Sequence, residues 1–205
     1  MRIQIEAQIA DSIEVKRAIL TDEKVLGQIQ SLVERCLHSL REGGKVIFAG
    51  NGGSFADAQH LSAEFTSRFK FDRSPLASLA LGTNSSSLSA IGNDYGYEHV
   101  FERELRSIAK PGDVFIPITT SGNSPNILAA ALAGKELGLS TVGLTGQGGG
   151  QLVRLCECIC IPSADTARVQ ECHILVGHIL CGLVEVEFFP QAGSSTNKLG
   201  QHHGR

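Results

Sequence analysis

The chain has 205 residues, 42% of them hydrophobic and 19% charged, which suits one well-buried domain and excludes a chain disordered throughout. Its net charge of −3, with no local run of Lys or Arg, gives no electrostatic case for binding nucleic acid. No apolar run approaches the roughly 20 residues that cross a bilayer. The acidic, interrupted N-terminus does not read as a signal peptide, so a cytoplasmic protein with no membrane partner is expected.

In chain order, the first 43 residues or so read as two helices, with Ile9, Ile13, Leu20, Val25 and Leu32 among their apolar positions. They have no strand partner, so they either cap a sheet or pack across a subunit interface. Four short runs that are apolar almost throughout follow: KVIFAG (45–50), DVFIPIT (113–119), STVGLTG (140–146) and ECICIP (157–162), with a weaker fifth, LASLALG (76–82). Such runs suit strands covered on both faces. Helical patterns separate them, at 54–69, 85–92 with 98–109, 124–137 and 166–189. Strand alternating with helix at this spacing predicts a parallel sheet between helical layers. The Gly/Ser-rich stretch from 190 to 205, with its His202-His203 pair, reads as a polar tail.

Six cysteines occur, and CECIC places Cys156, Cys158 and Cys160 on one strand face. Neighbours on one face bridge each other poorly, and no further ligand type is visible, so they read as small buried hydrophobes.

Three strands run into similar turns, AGNGGS, TTSGNS and TGQGGG. In a parallel sheet all three lie at the carboxyl-end edge, where such folds bind ligands. Glycine allows close backbone approach, and a following helix N-terminus offers free N–H groups. Thr119, Thr120, Ser121 and Ser124 add four hydroxyls to the middle turn, which suits a phosphate monoester or, alternatively, only caps a helix. The Walker lysine is missing and Gly50, Gly52 and Gly53 do not make a dinucleotide fingerprint, so nucleotide hydrolysis and hydride transfer both lose ground.

Directly after the first turn, HLSAE sets His60 and Glu64 at i, i+4, facing one side of a helix. That pair suits a divalent metal, or is an exposed helical pair. On the last helix Gln170 and His178 differ by about 80° of helical angle and can share a broad face, whereas His173 lies about 140° from His178. His178 sits among Ile174, Val176, Ile179 and Leu180, where a core histidine is the alternative to a ligand or proton-transfer group.

Taken together, AGNGGSFADAQHLSAEF, AIGNDYGY, TTSGNSPNILAA, LTGQGGGQL and PSADTARVQECHILVGHI resemble, in the right order and over nearly the whole chain to about residue 189, the sedoheptulose 7-phosphate isomerases of the sugar isomerase (SIS) superfamily. The resemblance implies an α/β fold, a three-layer αβα sandwich of flavodoxin-like kind with a five-stranded parallel sheet behind N-terminal helices. One SIS domain would span 1–189. It implies conversion of sedoheptulose 7-phosphate into D-glycero-D-manno-heptose 7-phosphate, the first step toward nucleotide-activated heptose, in a homotetramer with sites near subunit interfaces. By the same resemblance Asn51, Gly52 and Gly53 touch the sugar, with Asn93 and Asp94 beside it. Thr119, Thr120, Ser121 and Ser124 hold the phosphate, Thr119 standing where many members carry serine. His60, Glu64, Gln170 and His178 form a zinc site, one ion per subunit. Glu64 and His178 are also the acid–base pair, with Glu64 and Gln170 reaching the substrate. The rival expectations are a non-catalytic SIS protein of the replication-initiator-binding type, in which the acid–base positions are replaced, and another phosphosugar isomerase or sugar-sensing domain.

Overall fold

A computed structural model describes residues 1–190; the predicted tail beyond, with His202 and His203, lies outside the described residues. The elements run α1 (Arg2–Leu20), α2 (Glu23–Arg41), β1 (Val46–Gly50), α3 (Gly53–Thr66), β2 (Ser78–Ala80), α4 (Ser85–Tyr95), α5 (Val100–Ile108), β3 (Val114–Thr119), α6 (Pro125–Glu136), β4 (Ser140–Thr145), β5 (Glu157–Cys160) and α7 (Thr166–Phe188). All five strands pair in parallel, in the order β2-β1-β3-β4-β5. The three-layer αβα sandwich is therefore as the sequence predicts. Chain direction across the sheet reverses between β1 and β3, so the crevice at their carboxyl ends is the place where this fold receives ligands.

Both sheet faces are buried because β1 and β3 carry apolar residues at every position but their last one or two. Val46, Phe48, Val114, Ile116 and Ile118 pack toward α2, α3 and α7; Ile47, Ala49 and Phe115 pack toward α5 and α6. Polar residues mark the helix starts: Asp22, Asn84 and Asp165 each accept two backbone N–H bonds from the first turn of the helix they open. Helix α1 is different, since Ile19 is its one buried residue and Ile3, Ile5, Ile9 and Ile13 stay exposed.

Helix α7 corrects one expectation. By length and hydropathy it meets the measure of a membrane-crossing helix, yet 56% of its most apolar window is buried inside the domain. Its apolar character is that of a core helix, with Val169, Val176, Leu180 and Val184 packed under the sheet. Cys158 lies in the opposite core with Cys156 and Cys160 beside it, and all six cysteines are free.

Candidate active site

At the tip of β1 the chain turns within two residues. A Cβ on Gly50 would stand 2.3 Å from the Ser54 carbonyl oxygen, and Gly52 adopts φ +56, so the turn needs glycine at both places. The Asn51 side chain is bonded in both directions to Asn126 at the start of α6, Nδ2 to Oδ1 at 2.8 Å and the reverse at 2.9 Å. Tyr97 adds its hydroxyl to Asn51 Oδ1 at 3.2 Å. The turns after β1 and β3 are thus tied together across the crevice.

In the second turn Ser124 occupies the N-cap position of α6 but its hydroxyl makes no cap bond. It faces Thr119 Oγ1 at 3.1 Å instead. Thr119 is buried, Thr120 and Ser124 are half-buried and Ser121 is exposed, with the Ser121 hydroxyl accepting the Asn123 N–H. The third turn, TGQGGG, is not a second ligand cradle. Gly146 N–H donates to Thr120, and Gln151 and Leu152 N–H both donate to Gly122. A Cβ on Gly150 would stand 2.5 Å from the Ser121 carbonyl oxygen. Its glycines are there to let one backbone lie on another, so this turn buttresses the hydroxyl-rich one.

Two turns down α3, His60, Glu64 and His178 converge. His60 Nε2 lies 3.0 Å from His178 Nε2 and 3.2 Å from Glu64 Oε1. One ligand atom from each falls within 4.8 Å of the other two. Two imidazole nitrogens that close either share an N–H···N hydrogen bond or face a common cation. Four N/O ligands about 2.0–2.1 Å from a tetrahedral zinc stand roughly 3.3 Å apart, so both measured edges fit a divalent ion, and two imidazoles with a carboxylate suit its chemistry. Close approach of α3 and α7 depends on Gly177, where a Cβ would meet Leu61 Cδ2 at 2.4 Å. The Phe69 ring stacks on His178, with centroids 5.4 Å apart.

Gln170, on α7 two turns before His178, points its amide at the start of α3. Its amide lies over Gly53, where a Cβ would stand 2.7 Å from Nε2. Asn93 and Asp94 are exposed on α4, bonded to each other at 2.8 Å and, among the described residues, to no other predicted site residue. They line an open hollow with Ser85, Ser86 and Ser89.

Two findings were not expected from sequence. Asp57, one turn before His60 on the same helix face, is half-buried with Oδ2 unpartnered. Burial raises its carboxyl pKa while His60 and His178 pull it down. The signal was present, since Asp57, His60 and Glu64 are spaced i, i+3, i+7. The core histidine on α7 is His173, fully buried, with neither ring nitrogen in hydrogen-bonding geometry. Burial pushes it down to about 4, with the Thr145 backbone pulling weakly the other way.

Comparison with known proteins places these features in context. The sequence model of the SIS domain matches residues 10–146. Phosphoheptose isomerase of Aneurinibacillus thermoaerophilus is 53% identical over 190 residues, covering 92% of this chain and 96% of that protein. Among solved structures, phosphoheptose isomerase GmhA from Neisseria gonorrhoeae is 39% identical with a TM-score of 0.82, covering 90% of this chain and 98% of that one. A phosphoheptose isomerase from Francisella tularensis has a TM-score of 0.84 at 30% identity, covering 89% and 96%.

Proposed function

The chain belongs to the phosphoheptose isomerases of the SIS-domain family, and we propose that Glu64 and His178, at a site built for a divalent metal, carry its reaction. The enzyme interconverts sedoheptulose 7-phosphate and D-glycero-D-manno-heptose 7-phosphate, the first step of heptose biosynthesis. The observation that carries the residue assignment is the convergence of a carboxylate and two imidazoles from the helix that the β1 turn launches and from the last helix.

Ketose–aldose isomerisation removes a proton from C1 of the open-chain sugar, passes through an enediol and returns a proton at C2. Glu64 takes the C1 proton and delivers it to C2. Its Oε1 faces His60 at 3.2 Å, which leaves Oε2 for the proton. His178 would move the proton between the C1 and C2 oxygens through Nδ1, because its Nε2 faces His60 across the ion site. His60, Glu64, Gln170 and His178 would hold the ion, which we assign as zinc and which would polarise those oxygens and offset their developing negative charge.

The Thr119–Ser124 turn holds the phosphate, with the Ser124 hydroxyl paired to Thr119 instead of capping its helix. Gly52 and Gly53 admit the sugar to the β1 turn, where Gln170 reaches it and Asn51 keeps the turn in place through Asn126. Asn93 and Asp94 approach the substrate from α4. A cytoplasmic homotetramer completes this reading, supported by the exposed apolar residues of α1 and by Ile179, Leu183 and Val186 on α7.

An NMR time course with sedoheptulose 7-phosphate tests it directly. Aldoheptose phosphate is expected with the wild-type, zinc-loaded protein and not with Glu64→Gln. No turnover by zinc-loaded wild type would overturn the assignment.

A further inference from the structure

We propose that Arg73 and Glu185 are positioning residues that hold the two halves of the metal trio at their working separation, an inference that rests on the isomerase reading above. Glu185 lies on α7 seven residues beyond His178, on the same helix face, and is completely buried. Its carboxylate accepts from Arg73 Nε at 3.0 Å, from the Phe69 N–H at 2.8 Å and from the Lys70 N–H at 2.7 Å. The Arg73 side chain is 2% exposed, and the rest of its fork reaches back to the end of α3. Nη2 donates to the carbonyl of Glu64 itself at 2.7 Å, and Nη1 donates to Phe65 at 2.7 Å and Ser67 at 3.0 Å.

The last carbonyls of a helix have no partner within it. Here one planar cation satisfies them and at the same time bonds the helix that carries His178. Few side chains can do both, because the guanidinium presents five N–H groups in a rigid plane. The same carboxylate draws in the segment after α3, and that segment lays Phe69 on the His178 ring. Gly182 provides the room, since a Cβ there would stand 3.3 Å from the Phe69 ring. Both helices and the stacking ring are therefore referred to a single buried ion pair.

A buried ion pair is weak grounds for stability, because apolar pairs of like volume often fold as well or better. What it supplies is direction. Metal–ligand distances must hold to about 0.2 Å, and the directed bonds of the ion pair fix the position of α3 against α7 where apolar contacts, being non-directional, do not.

Two variants test this, each measured for zinc affinity by competition with a chromophoric chelator, for kinetics and for thermal melting. Arg73→Lys keeps the charge but cannot bond Glu185 and the α3 carbonyls together. The double variant Arg73→Met with Glu185→Leu removes both charges at once, so that neither is left buried alone. The expected result is a cooperative melt with zinc affinity and kcat each lower by about 10–100-fold, and KM changed by less than about twofold. Wild-type zinc affinity in a folded variant would overturn the proposal, as would failure of both variants to melt cooperatively, which marks a purely structural role. The zinc measurement needs no substrate, so a wild type that failed to isomerise sedoheptulose 7-phosphate would sink the isomerase reading and leave the clamp to be judged by its metal.

Discussion

At the tips of β1 and β3 the proposed phosphate end is built from backbone and short hydroxyls, buttressed by the glycines of the third turn. Two turns along α3 and three along α7 the proposed metal end is built from long side chains of two helices. The first kind of site is fixed once the strands pair, since its atoms belong to the chain path. The second depends on where two helices sit, so it needs constraints of its own: a missing Cβ at Gly177, a ring against His178 and a buried ion pair. Substitution of a side chain should therefore be severe at one end and mild at the other, with backbone changes showing the reverse.

The largest effect should come from Glu64→Gln, which leaves the fold intact and removes the proton acceptor. A loss in kcat of about 10²–10⁴-fold is expected with the melting temperature held, and near-normal turnover would remove Glu64 as the base. Next is a stability effect confined to α7. His173 titrates near 4 in the fold and near 6.5 when unfolded. As pH falls from about 6.5 toward 4 the unfolded chain takes up this proton and the folded one does not, so stability is lost across that window by about 3 kcal/mol. Above about pH 6.5 both forms are neutral and the effect vanishes. His173→Leu should flatten the slope, read from urea melts between pH 4 and 7, and an unchanged slope would show that other groups cause it.

Gly122→Ala tests the backbone-built end. With φ +66 and the Gly149 carbonyl oxygen 2.1 Å from the new Cβ, it should cost about 1–3 kcal/mol of stability and raise KM for the phosphosugar. A stable variant with wild-type KM would show that the turn tolerates movement. Ser124→Ala should be the mildest, a rise in KM of about tenfold for one lost bond to a charged group, with kcat little changed. A fall in kcat without a change in KM would argue that the turn does more than bind.

Much of the backbone-built half was legible in sequence, because glycine and proline state their conformations locally and apolar runs state their burial. The strands fell within one or two residues of prediction at most ends, and even the three-residue β2 was foreshadowed by LASLALG. His60 and Glu64 were legible through helical spacing. His178 was not separable from His173 by local composition, since both lie in apolar sequence and only the approach of α3 sets one beside His60 and Glu64 and leaves the other in the core. The pairing of Arg73 with Glu185 spans 112 residues and follows no spacing rule. TGQGGG looked like a ligand turn because glycine permits close approach by a phosphate and by another backbone alike, and composition does not say which.

The bond between Asn51 and Asn126 has one more consequence. Two primary amides facing each other carry no formal charge and gain or lose no proton across the pH range of living cells. The joint that spaces the sugar turn from the phosphate turn is therefore indifferent to acidity and barely sensitive to salt, unlike an ion pair in the same place. Whatever the surrounding medium does to the charges that perform the reaction, the frame between its two ends keeps its length.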